Sequence, residues 1–135
     1  MARIIDVEGI GPVYKAALKE KAGITTTEAF LEAAKTPKAR EALAAKTGIS
    51  PKLILEWANL SDLFRIKGVG SEYSDLLEEA GVDTVVELAN RNPESLFKMM
   101  SDTNNQKALV RRLPTVNQVK DWVAQAKKLP RVLTY

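Results

Sequence analysis

The chain has 135 residues, a net charge of +3, and neither cysteine nor histidine. This composition excludes disulfides, thiolate nucleophiles, cysteine–histidine zinc sites and every mechanism that needs an imidazole base. Residues with strong helix propensity dominate, and no long segment alternates apolar and polar side chains. The sequence therefore predicts an all-α fold.

The sequence contains no targeting or membrane-spanning signal that we can identify. The N-terminal residues lack the apolar stretch of a secretory signal, and no apolar run approaches the roughly 20 residues that span a bilayer. We therefore expect a cytoplasmic protein that does not associate with membranes.

The predicted helices follow the apolar periodicity and the positions of proline, glycine and capping residues. They cover residues 12–22, 27–35, 37–47, 51–58, 61–66, 71–80, 84–91, 93–101, 105–112 and 115–129. Residues 101–106 are polar throughout and are predicted to form a loop. Thr36, Asn92 and Thr115 are predicted to cap the helices that follow them.

A glycine motif occurs twice in the chain, 59 residues apart. In each copy two glycines flank an apolar residue, and a tyrosine and a leucine follow at the same spacing. The copies are Gly9-Ile10-Gly11 with Tyr14 and Leu18, and Gly68-Val69-Gly70 with Tyr73 and Leu77. We call residues 9–11 the first glycine turn and residues 68–70 the second glycine turn. Amides at the start of the following helix have no intrahelical partner, so such a turn suits a phosphate oxygen.

Further similarities predict that the chain contains an internal duplication. Potential capping boxes begin at Thr25 and Thr84, 59 residues apart, and a tryptophan lies late in each half, at Trp57 and Trp122. We therefore predict two tandem units, residues 1–60 and residues 61–135, packed as one compact body. The two tryptophans and the two tyrosines of the motif are expected to pack in the core.

Positive charge is concentrated at one end of the chain. Residues 107–135 carry seven cations and one acid, a net charge of +6, which leaves −3 for residues 1–106. The cations are Lys107, Arg111, Arg112, Lys120, Lys127, Lys128 and Arg131. A basic end favours an acidic partner such as nucleic acid, and a solvated helix face is the alternative interpretation. Arg111 and Arg112 also suit the C-terminus of a helix.

Local charge distinguishes the two glycine turns. Lys15 and Lys19 follow the first turn, whereas acidic residues follow the second, with Lys67 just before it. The acids are Glu72, Asp75, Glu78, Glu79 and Asp83. Because carboxylates repel phosphate, the first turn is the better candidate for binding, and the second is expected to be weak or structural. We interpret the acids as a solvated face and predict no metal site.

The predicted nucleic-acid-binding residues comprise both turns and selected cations. They are Gly9, Ile10, Gly11, Lys15, Lys19, Lys67, Gly68, Val69, Gly70, Arg111, Arg112, Lys127 and Lys128. Backbone contacts to phosphate carry no base information, so binding is expected to be independent of nucleotide sequence.

The motifs resemble those of the helix-hairpin-helix superfamily, which includes DNA-repair and recombination proteins and the C-terminal domain of the RNA polymerase α subunit. The resemblance lies in residues 9–12, 23–26 and 66–70. The whole chain is also similar to a bacterial family, domain of unknown function 4332, notably in residues 49–57 and 113–116. These resemblances imply a tandem helix-hairpin-helix fold, and they transfer no activity.

Two functions remain open from the sequence. The first is a non-catalytic nucleic-acid-binding module, with DNA favoured over RNA as the partner. The second is a protein-interaction or scaffold module that keeps the fold without binding nucleic acid. Neither function requires an enzyme active site, a cofactor or a small-molecule substrate.

Overall fold

A computed structural model describes residues 2–135, and the all-α prediction is confirmed for them. Within these residues there is no β-strand, only an isolated bridge between Arg3 and Thr26. In this part of the chain a 3₁₀ turn, Ile4–Asp6, precedes eight α-helices. These are α1 Pro12–Ala22, α2 Thr27–Ala33, α3 Pro37–Thr47, α4 Pro51–Leu63, α5 Ser71–Glu79, α6 Val85–Ala89, α7 Pro93–Lys107 and α8 Val116–Lys128.

Side-chain caps start most of these helices. The predicted caps Thr36, Asn92 and Thr115 each accept a backbone amide from the first turn of the helix, as expected for N-cap residues. The cap of α2 is Thr26, so the predicted capping box at Thr25 is wrong. Thr84 caps α6 as predicted, but the predicted capping box is incomplete, because Glu87 Oε2 accepts from the Asp83 amide at 3.5 Å.

Two of the predicted helix boundaries are wrong. No separate helix covers residues 61–66, because α4 continues through Leu63 without a proline or glycine to stop it. Residues 101–106 are not a loop, because α7 continues to Lys107. Polar residues cost only a few tenths of a kcal/mol each in a helix, and the packing of α7 against α5 and α8 offsets that cost.

The predicted helix over residues 105–112 is also wrong, and the Asn104 side chain provides the reason. Ala108 adopts a left-handed conformation with φ of 50°, which ends α7. The Asn104 Oδ1 then accepts from the Val110 amide at 3.0 Å, and its Nδ2 donates to the Val110 carbonyl at 3.3 Å. These two bonds use the amide and the carbonyl of Val110, which would bond to other backbone groups in a helix. Residues 108–110 therefore do not continue α7.

The chain divides into two compact units by its internal contacts. Unit 1 comprises the residues up to Asp62 together with Arg131–Tyr135, and unit 2 comprises Leu63–Pro130. The division predicted from the sequence placed residues 131–135 in the second unit. In the chain, unit 2 is therefore inserted between two parts of unit 1.

Unit 1 is built around the large apolar side chains of its helices. Helix α1 packs on α3 and on the 3₁₀ turn, and α2 packs on α3. Leu18, Phe30 and Trp57 are buried, and the rings of Phe30 and Trp57 meet edge to face with centroids 6.3 Å apart. Leu133 is also buried, so unit 1 includes a residue from the end of the chain in its core.

Unit 2 is centred on α8, which packs on α6 and α7, while α5 packs on α7. The apolar stripe of α8 faces the core, with Val119, Trp122, Val123 and Ala126 buried. The two ends of that stripe, Val116 and Leu129, are only partly buried.

Candidate nucleic-acid interface

The first glycine turn leads directly into α1. The Val7 amide bonds to the Ile4 carbonyl at 3.2 Å, and the Ile10 amide bonds to the Val7 carbonyl at 3.1 Å. Gly9 has a φ of 94°, a conformation that L side chains rarely adopt. Gly11 is the N-cap of α1, and no side chain caps this helix. The amides of the first turn of α1 therefore lack intrahelical partners.

An indole supports the first glycine turn from the core side. A Cβ at Gly9 would lie 3.1 Å from Trp57 Nε1, so a side chain there would require the indole to shift by a few tenths of an ångström. The Tyr14 ring meets Trp57 edge to face with centroids 5.0 Å apart, and 36% of Tyr14 remains exposed. Core packing is thus confirmed for Trp57 and only partly confirmed for Tyr14. Ile10 is buried, so its side chain is not available to a ligand.

Two lysines lie beside this turn on the exposed side of α1. Lys15 and Lys19 are four residues apart, both are exposed, and neither forms an ion pair with any residue in 2–135. They line a groove of about 430 Å³ together with Ile5, Pro12, Ala16 and Glu20. Glu20 and the exposed Glu8 reduce the positive charge here. Both predicted lysines therefore lie along α1, the helix that begins at the first glycine turn.

The second glycine turn has the same backbone geometry. The Ile66 amide bonds to the Leu63 carbonyl, and the Val69 amide bonds to the Ile66 carbonyl, both at 3.1 Å. Gly68 has a φ of 95°. Gly70 is the N-cap of α5, again without a side-chain cap.

An equivalent tyrosine–tryptophan pair, Tyr73 and Trp122, supports the second turn. A Cβ at Gly68 would lie 3.1 Å from Trp122 Nε1. The centroids of Tyr73 and Trp122 are 5.2 Å apart. The tyrosine hydroxyl donates to the Arg112 carbonyl at 2.9 Å, which ties this turn to the segment after α7.

A side-chain amide binds the backbone of Lys67, the residue just before the second turn. The Lys67 amide donates to Gln125 Oε1 at 2.8 Å, and Gln125 Nε2 donates to the Lys67 carbonyl at 3.1 Å. Gln125 also donates to Asp121 Oδ2 at 2.8 Å. Gln125 lies three residues after Trp122, and the residue three after Trp57 is Leu60, which is buried and has no polar group. The first turn therefore lacks this support, and the sequence comparison did not reveal the difference.

Negative charge accompanies the second turn. Glu72 lines a depression of about 340 Å³ with Gly68, Gly70, Ser71 and Tyr73. Arg111 Nε lies 3.5 Å from Glu72 Oε1, so the predicted cation faces a carboxylate. Glu72 therefore places a negative charge in this depression, and that charge repels a phosphate.

The other predicted cations of unit 2 lie at exposed positions outside the second turn. Arg111 and Arg112 lie in the non-helical stretch after α7, so their predicted role at a helix C-terminus is wrong. Lys127 and Lys128 occupy the last turn of α8 and are exposed. Val69 is buried, so only its backbone reaches the surface of the turn.

Ion pairs engage further charges of unit 2. Lys107 pairs with Glu79, and Lys120 Nζ lies 3.4 Å from Glu94 Oε1. A hydrogen bond from the backbone at the start of α7, and then Lys120, hold the pKa of Glu94 below its ordinary value. Asp75, Glu78 and Glu79 offer oxygens within 4.8 Å of one another. Asp75 and Glu78 are half-buried, Glu79 is exposed, and Lys107 binds Glu79.

Comparison with protein-family models shows to which family this chain belongs. Residues 8–129 match the model of a domain of unknown function, DUF4332. The chain belongs to the DUF4332 family. No curated protein and no solved structure matches the chain. In residues 2–135 of this DUF4332 protein, no helix has both the length and the apolar character required to cross a membrane.

Proposed function

We propose that this DUF4332 protein is a non-catalytic, cytoplasmic nucleic-acid-binding module that contacts phosphates without sequence preference. DNA is the favoured partner. The observation that carries the proposal is the start of α1, where uncapped amides follow the first glycine turn and two exposed lysines, Lys15 and Lys19, line a groove along the same helix.

The physical basis is the complementarity of the start of α1 to a phosphate. The amides of Val13 and Tyr14 start α1 without intrahelical acceptors, and the helix dipole adds partial positive charge at the same place. Lys15 and Lys19 extend this charge along one side of the helix. Phosphate contacts of this kind give affinity and orientation but do not distinguish bases.

We also infer that the two glycine turns are copies of a helix-hairpin-helix motif produced by internal duplication. Gly9 and Gly68 have nearly equal φ values of 94° and 95°. A Cβ built on either glycine would lie 3.1 Å from a tryptophan Nε1. In this interpretation the first copy binds phosphate and the second is retained as architecture. The exposed cations Lys67, Arg112, Lys127 and Lys128 add weak electrostatic contacts.

The test is fluorescence anisotropy with labelled duplex and single-stranded DNA over a salt series. Between about 50 and 200 mM salt, log K on duplex is expected to fall with a slope of about −0.9 per phosphate contact. The double variant Lys15→Glu/Lys19→Glu is expected to weaken binding and to reduce that slope by about two contacts.

The matched control is Lys38→Glu/Lys52→Glu, which makes the same charge change on exposed positions of α3 and α4. This control is expected to alter affinity only slightly. Equal losses in the two double variants would contradict the assignment to the first turn. Absence of binding by the unmodified chain at low salt would contradict the proposed function itself.

A second candidate function is protein interaction, which the exposed apolar residue beside the first turn favours. Val13 is 80% exposed and lies next to the partly exposed Tyr14. Affinity capture from a nuclease-treated lysate, with Val13→Asp as the comparison, tests this candidate. A stoichiometric protein that the unmodified chain retains and the variant loses would favour protein interaction over nucleic acid.

A further inference from the structure

Residues 131–135, which we call the return segment, pack on unit 1 without forming a helix. The Thr134 amide donates to the Lys35 carbonyl at 2.9 Å. Leu133 is 2% exposed, and the two residues after it remain exposed. The return segment therefore buries one leucine and leaves its last two residues accessible.

Arg40 organises the surface that receives this peptide. Its side chain is buried and donates to the Ala34 carbonyl at 2.9 Å and to the Thr134 carbonyl at 2.8 Å. Its guanidinium lies 5.6 Å from the centroid of the Tyr135 ring, and the Tyr135 hydroxyl donates to Asn59 Oδ1 at 2.8 Å. Unit 1 thus recognises a backbone, an aliphatic side chain and an aromatic side chain, as a peptide-binding site does.

The connection before the return segment is short and extended. Helix α8 ends at Lys128, and Leu129 has φ of −93° and ψ of 137°. Arg65 donates to the Pro130 carbonyl at 2.7 Å, within unit 2. The exposed Arg131 is the first residue beyond this bond, so rotation of its backbone can redirect the segment without unwinding α8.

We propose that this site on unit 1 also takes the return segment of a second copy of the chain, so that two copies exchange their segments. A second copy carries the matching peptide by definition, and exchange reproduces every contact of the closed monomer. The difference in free energy between the closed monomer and the exchanged dimer is set mainly by the effective concentration of the tethered segment. That concentration is on the order of millimolar for a short linker. The exchanged dimer therefore forms at high protein concentration and dissociates on dilution.

The test uses the full chain, which has no cysteine of its own. Lys35 and Thr134 are exposed and joined by the backbone bond, so a Lys35→Cys/Thr134→Cys variant places two thiols at the site. When the variant is oxidised as a dilute monomer, its segment is locked in its own chain. The mass in solution is then measured by sedimentation from about 10 µM to about 1 mM.

The unmodified chain and the reduced variant are expected to dimerise as concentration rises, and the oxidised variant to stay monomeric. A chain that is monomeric throughout, or an oxidised variant that dimerises like the reduced one, overturns the proposal.

Discussion

The two glycine turns have the same backbone and different surroundings. Both place a glycine with φ near 95° on an indole, and both lead into a helix without a side-chain cap. Lys15 and Lys19 follow the first turn on α1. At the second turn, Gln125 binds the backbone of the preceding Lys67, and Glu72 lines the depression at the turn. A motif that is repeated in sequence therefore need not repeat its binding chemistry, because that chemistry depends on residues outside the motif.

The largest expected effect tests the buried indole that lies beneath each glycine turn. Trp57→Ala and Trp122→Ala each remove a buried indole from beneath a glycine turn, so each is expected to lower the free energy of unfolding by about 3–5 kcal/mol. Denaturant unfolding followed by circular dichroism measures both. A loss below about 1 kcal/mol in either variant would show that its turn does not depend on the indole.

The glycines provide the next test, with controls inside the same turns. Gly9→Ala and Gly68→Ala combine an unfavourable φ with a Cβ 3.1 Å from an indole nitrogen, and each is expected to cost about 1–3 kcal/mol. Gly11→Ala and Gly70→Ala enter open space at negative φ, and each is expected to cost less, about 0.5–1 kcal/mol, because alanine is a poorer N-cap residue than glycine. Thermal unfolding of the four variants measures the contrast, and equal costs would contradict it.

Gln125→Ala tests the support that only the second turn has. The variant loses two hydrogen bonds to Lys67, so a cost of about 1–2 kcal/mol in denaturant unfolding is expected. Hydrogen exchange at the Lys67 amide is expected to become faster. Gln106→Ala, at an exposed position of α7, is the control and is expected to change neither quantity. Unchanged exchange at Lys67 in Gln125→Ala would mean that Gln125 does not protect this turn.

The smallest expected effect concerns charge at the second turn. Glu72→Lys removes the carboxylate from the depression and frees Arg111, so duplex DNA affinity is expected to rise several-fold, with about one more phosphate contact in the salt slope. Asp102→Lys makes the same charge change on the exposed side of α7. Equal gains in both variants would indicate a general charge effect and not a latent site at this turn.

Much of the local structure could be predicted because its causes lie within a few residues. The glycine spacing indicated both turns, and Thr36, Asn92 and Thr115 marked helix starts whose caps the structure confirms. The end of α7 could not be predicted in this way. Polar residues suggested a loop over residues 101–106, yet packing extends the helix, and the Asn104 bonds to Val110 then hold the chain outside a helix.

The sequence by itself determined the helical fold, the two glycine turns and the lysines beside the first, since backbone preferences and charges act over a few neighbouring residues. Only the tertiary structure decided that Gln125 binds the backbone of Lys67 next to the second turn, and where the last five residues pack. The bond between Lys67 and Gln125 spans 58 positions, and that between Arg40 and Thr134 spans 94. Such pairs form because apolar burial closes the chain around them, and no local pattern in the sequence records which distant partner each will meet.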